Sequence, residues 1–153
     1  MSTSTRKIDE VFLTVVEQLA FMFGDPCEAG EIDCYDGSWV RASLDFRSRI
    51  SGTLALTVPE PMSREIAANI LGLDPEDIAN DAVAEDALME MLNVVAGHIV
   101  PALHDAEVPF DLTVPRLERL DHAACRDLAQ ADHAACYGLD GTPVILSVLP
   151  SGA

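Results

Sequence analysis

The stretch Asp86-Ala-Leu-Met-Glu90-Met-Leu-Asn93-Val-Val-Ala-Gly97 sits in the longest amphipathic segment of this 153-residue chain. A helix turns by roughly 100° per residue, so Leu88, Leu92, Val95, Ile99 and Leu103 fall on one side and would pack on a core. Asp86, Glu90, Asn93 and Gly97 fall within a stripe about 60° wide on the other side, facing solvent. An acid and an amide thus stand one turn apart, next to a residue with no side chain. Neither is a nucleophile poised by a base, and no Ser-His-Asp or Cys-His pairing can be argued from spacing in this chain. An exposed carboxamide can orient a water, which gives catalysis only if another molecule delivers the electrophile. Taken alone, Glu and Asn three apart on a helix surface are ordinary solvated residues.

Outward from this segment, Asn80 or Asp81 can cap the helix, which runs to about His104 with Pro101 inside its last turn. Before it, Pro61 opens a helix with Met62, Ile66 and Ile70 inward, Gly72 ends it, and Asp74-Pro75 starts a short connector helix. Trp39–Phe46 and Ile50–Val58 read as strands joined by the hairpin loop Arg47-Ser-Arg49. A turn-rich acidic segment precedes them. Earlier still, Ile8, Val11, Phe12, Val15, Val16, Leu19 and Phe23 recur at helical spacing until Gly24 and Pro26 stop the pattern. Residues 1–5 are polar and expected to be loose, with Ser4 or Thr5 available as an N-cap. After the central helix the chain reads as β. One strand in 110–120 is interrupted by Pro115, and two more, 130–138 and 142–149, flank the turn Leu139-Asp140-Gly141. The order α-β-β-α-α-β-β-β predicts a single α+β domain over residues 6–150, an antiparallel or mixed sheet with helices packed on one face.

Composition narrows the function. Hydrophobic residues make up 49% of the chain, enough for a sizeable core. A net charge of −17 argues against nucleic acid or an anionic membrane as partner, because both need a basic surface. No apolar run approaches the roughly 20 residues that span a bilayer, and the start lacks a signal-peptide pattern. Cys27, Cys34, Cys125 and Cys136 are too few for a disulfide framework, so a reduced, cytoplasmic setting is expected. The repeat Asp121-His-Ala-Ala-Cys125 and Asp132-His-Ala-Ala-Cys136 offers four ligands suited to zinc. On strands, however, His and Cys three apart point to opposite faces, so no metal site is assigned. Cys27 and Cys34 have no neighbouring bases and read as inert thiols, and His98 and His104 as surface or capping residues.

The spacing of Asp86, Glu90 and Asn93, followed after twenty-one residues by Pro115, resembles the signature of the CheC/CheX family of chemotaxis phosphatases. Gly97 and the single Glu/Asn pair resemble the CheX branch, and the order of elements is similar over nearly the whole chain. His98-Ile-Val-Pro101 departs from the polar or basic continuation common in that family. The resemblance implies hydrolysis of the aspartyl phosphate on a CheY-like response regulator. It assigns Asn93 to orienting the attacking water and Glu90 to docking on the regulator's active-site lysine. Asp86 and Gly97 become binding-surface residues and Pro115 a strand or turn fixture. It also implies that the chain needs no cofactor of its own, since Mg²⁺ belongs to the partner, and it allows a homodimer built on sheet edges. The rival reading is a non-catalytic docking module for a regulator or motor-switch protein.

Overall fold

The computed structural model describes residues 3–104 and 108–151. In chain order the elements are α1 (Thr3–Ala20), β1 (Gly24–Cys27), a 3₁₀ turn (Ala29–Cys34), β2 (Trp39–Arg47), β3 (Gly52–Pro59), α2 (Glu60–Leu71), a second 3₁₀ turn (Pro75–Asp77), α3 (Asp81–Ala102), β4 (Asp111–Leu112), β5 (Arg116–Leu120), α4 (His122–Ala129), β6 (Ala134–Leu139) and β7 (Thr142–Pro150). The seven strands form one antiparallel sheet in the order β1-β6-β7-β3-β2-β4, with β5 also on the outer side of β2.

Strand alternation sorts the side chains into two layers. Val40, Ala42, Leu44 and Phe46 of β2, Leu54, Leu56 and Val58 of β3, and Val144 and Leu146 of β7 point to one face. There they meet Phe12, Val15 and Val16 of α1 and Leu88, Met91, Leu92, Val95 and Ile99 of α3 in the main core. The intervening residues Trp39, Cys136 and Ile145 point to the other face, where Cys125 and Ala129 of α4 and Ile32 of the first 3₁₀ turn cover them. The expected α+β sheet with helices on one face is therefore present, and α4 adds a small second layer on the opposite side.

Several elements differ from the sequence expectation for local reasons. Gly24–Cys27, expected as turn, is an edge strand on β6, and a Cβ at Gly24 would lie 2.2 Å from the Gly138 carbonyl oxygen. His122–Ala129, expected within the β region, is helical. Asp121 caps it through a 2.8 Å bond from the Ala124 N–H, a signal hidden by the short length of the segment. The strand expected in 110–120 is broken in two. Ser43 faces Arg116 and Phe46 faces Leu112, so Val114 and Pro115 together oppose Leu44, a bulge at the point where proline offers no N–H. The β6–β7 turn tightens to Asp140-Gly141, with φ of 49° and 85°, the Asp-Gly pair that a two-residue hairpin requires. Helix α1 begins by Thr3, earlier than expected, and stops at Ala20, short of Phe23. Residues 1–2 of the expected loose terminus lie outside the described residues.

Candidate functional site

Helix α3 carries the motif, and its frame is fixed at the N-terminal end. The Asn80 side chain accepts from the Val83 N–H at 3.1 Å, which satisfies one of the free donors of the first turn. Arg64 of α2 bonds Asp81 at 2.8 Å and the Ile78 carbonyl at 3.2 Å. Arg119 of β5 holds Glu60 of α2 and Glu85 of α3, each at 2.8 Å. No sequence spacing points to this three-element clamp, since its members lie 34 and 59 positions apart. Below the first turn, α3 is anchored by apolar burial: Leu88, Leu92, Val95 and Ile99 are fully buried, as the periodicity requires, and Ala84, Met91, Ala96 and Val100 widen that face.

On the outer face, Asp86 and Glu90 are exposed, and Asn93 and Gly97 are half-buried. The helix thus brings together four of the five residues the motif picks out. Pro115 lies apart from them, in the bulge beside β2. Among the described residues, no side-chain hydrogen bond or ion pair engages Asp86, Glu90 or Asn93. This contrasts with their neighbours Asp81 and Glu85, both of which are paired with arginines. The acid and amide are therefore free to address another molecule.

Gly97 is informative for what the fold does not ask of it. A Cβ built there meets nothing within 4 Å, so no close internal contact demands glycine, yet glycine inside a helix costs roughly 1 kcal/mol relative to alanine. Four residues on, Pro101 lies within the helix and has no N–H to give the Gly97 carbonyl. The helix continues past it to Ala102, and the Leu103 N–H bonds the Ile99 carbonyl at 3.1 Å. The stripe thus ends in bare backbone whose carbonyl lacks its usual helical donor.

The other sequence candidates are not part of this face. His122 and Cys125 lie on α4. His133 and Cys136 lie around the start of β6, where His133 borders a cavity also lined by Asp9 and Tyr137. Among the described residues, no three His, Cys, Asp or Glu side chains are grouped to hold a metal ion. Burial, then a hydrogen bond with Glu31, pushes the Cys27 thiol up to about 12, and burial pushes Cys125 up to about 12 as well. Thiols so hard to ionise are poor nucleophiles.

The family model for the chemotaxis phosphatase CheX matches residues 40–137, about two thirds of the chain. That span runs from β2 to β6 and includes all of α3. The protein belongs to the CheX family. No curated protein sequence matches the chain. Among solved structures, it is similar to a chemotaxis protein CheX from Desulfovibrio desulfuricans, with a TM-score of 0.70 at 13% identity, covering 98% of this chain and 100% of that one. A CheX from Vibrio vulnificus gives a TM-score of 0.67 at 15% identity, over 98% and 97% of the two chains. The CheX–CheY–BeF₃–Mg²⁺ complex from Borrelia burgdorferi gives 0.65 at 14% identity, over 95% and 96%. At these identities the likeness establishes a shared fold across the chain.

Proposed function

We propose that this protein accelerates hydrolysis of the aspartyl phosphate on a CheY-like response regulator. Its single strongest support is the free, outward-facing Glu90 and Asn93 on an anchored helix in a chain of the CheX family. In this reading the Asn93 carboxamide holds a water in line with the phosphorus. The Glu90 carboxylate docks on the regulator's active-site lysine. Asp86 and the bare backbone at Gly97 complete the contact surface. Phosphoryl transfer asks chiefly for positioning and for neutralisation of charge on the transferred group. The regulator supplies that charge through its lysine and a bound Mg²⁺, so this chain contributes orientation and needs no cofactor of its own. A strongly acidic protein suits a partner pocket built from a lysine and a divalent cation.

The test is phosphate release from a CheY-like regulator of the same organism, phosphorylated with a small phosphodonor and Mg²⁺. Wild-type protein should accelerate release. Asn93→Ala and Glu90→Ala should each lower the acceleration by about a hundredfold or more while leaving the fold intact. Binding of every regulator without faster hydrolysis would replace this reading with a docking module. Loss of folding in Asn93→Ala would make Asn93 a structural residue.

A further inference from the structure

We propose that Phe21 and Leu71 form the apolar seat on which the regulator's receiver domain rests while Glu90 and Asn93 reach its phosphate. This rests on the phosphatase reading and names the residues that hold the partner in place.

The argument starts from helix register. Ile8 of α1 and Leu103 just past α3 border one depression, walled mostly by β6 and β7, and Thr14, Gln18 and His98 border another. One residue forward on α1 therefore matches about one residue back on α3, which brings Phe21 level with Met91. On α2, Arg64 pairs with Asp81, and Ala67 and Ala68 pack with Ala84 and Ala87. The same offset carries Leu71 to the turn beginning at Leu88. The two helix ends are tied together, because the Asn69 side chain donates to the Ala20 carbonyl at 2.7 Å. Helices α1 and α2 thus converge on the one turn of α3 that bears Glu90 and Asn93.

Both side chains are exposed, Phe21 at 64% and Leu71 at 51%, and their neighbours Phe23 and Leu73 are exposed as well. Phe21 also continues the row Glu10, Thr14, Gln18 that runs beside α3, and its N–H still bonds the Glu17 carbonyl at 3.1 Å. Its φ is +55°, the left-handed region that a bulky aromatic occupies at a cost of roughly 1–2 kcal/mol and that glycine or asparagine occupies with ease. A phenylalanine held in that conformation and turned to water contributes nothing to the core. Its place at the edge of the motif face gives it continuity with the surface that the receiver domain would cover. An apolar anchor beside a charged, water-ordering pair is also how interfaces divide labour: buried aromatics supply affinity, while polar groups fix orientation.

The test uses Phe21→Asn, which suits the left-handed backbone, Leu71→Gln, which keeps a helix former, and the double variant. Each is measured for kcat and KM with phosphorylated regulator, for the dissociation constant with its beryllofluoride–Mg²⁺ form, for sedimentation and for thermal unfolding. Asn93→Ala serves as the control. The double variant should raise KM and the dissociation constant by about tenfold, with kcat unchanged and the melting temperature unchanged or higher. Asn93→Ala should lose turnover and keep the dissociation constant. An unchanged dissociation constant in the double variant, with turnover still lost in Asn93→Ala, would overturn the seat and leave the phosphatase reading standing. Weaker binding by the double variant of a regulator that wild type does not dephosphorylate would keep the seat and sink the phosphatase. A wild-type protein that neither binds nor dephosphorylates any regulator would overturn both. A wild-type dimer that dissociates in the double variant, with regulator affinity intact, would assign the patch to a second copy and overturn the proposal.

Discussion

At the scale of single residues, the chain spends stability where it presents its surface. Gly97 occupies a helical position where alanine would fit without a clash, and Phe21 occupies a backbone region where asparagine would be easier. Gly97→Ala should stabilise the fold by about 1 kcal/mol, read as a raised melting temperature. If Gly97 belongs to the proposed contact surface, the added methyl group should also raise KM for a phosphorylated regulator. A gain in stability with unchanged kinetics would remove Gly97 from the contact surface. These residues differ in how far the sequence revealed them. Helical periodicity lines up Asp86, Glu90, Asn93 and Gly97 on one face, and it is the family resemblance that singles them out from other surface residues. Phe21 lies outside the apolar stripe that sequence spacing picks out, while Phe23, expected on that stripe, is left exposed beyond the end of α1 at Ala20.

Among elements, the closing strands show how ion pairs stitch separated parts of the chain. Asp45 of β2 accepts from the Thr53 hydroxyl of β3 at 2.7 Å and from Arg116 of β5 at 3.2 Å. The Thr53 hydrogen bond first, and the Arg116 hydrogen bond and charge after it, hold its carboxyl below the usual carboxylate range. The folded protein therefore takes up this proton less readily than the unfolded chain. The resulting stability is present above the unfolded value, about pH 4, and is lost as pH falls through the lower folded value. Asp45→Asn should flatten the acid limb of a stability-versus-pH curve below about pH 4, measured by denaturant unfolding, and leave the slope of the curve near neutrality unchanged. The short elements were the hardest to read. Strand β1 has four residues, with Pro26 among them, and α4 has eight, so neither offers a full period of hydrophobic pattern. Their identity is set by neighbours: β6 supplies the ladder for β1, and the apolar side of the sheet around Trp39 supplies the surface for α4.

For the whole molecule, a net charge of −17 on 153 residues makes self-repulsion a standing cost of the compact state. Raising ionic strength from about 0.01 M to 0.15 M shortens the screening length from about 30 Å to 8 Å. The melting temperature should rise over that range, and a fall would mean that attractive pairs such as Arg119 with Glu60 and Glu85 outweigh the repulsion. The sequence by itself determined the class of fold, the long central helix and the face carrying Glu90 and Asn93, because hydrophobic period and turn chemistry are local properties of the chain. Tertiary structure alone decided what surrounds that face. The Arg119 clamp, the bulge at Pro115, the second layer under α4 and the tie from Asn69 of α2 to the Ala20 carbonyl of α1 all join residues far apart in sequence. Contacts of that kind depend on how the sheet and helices pack in three dimensions, which no spacing along the chain encodes.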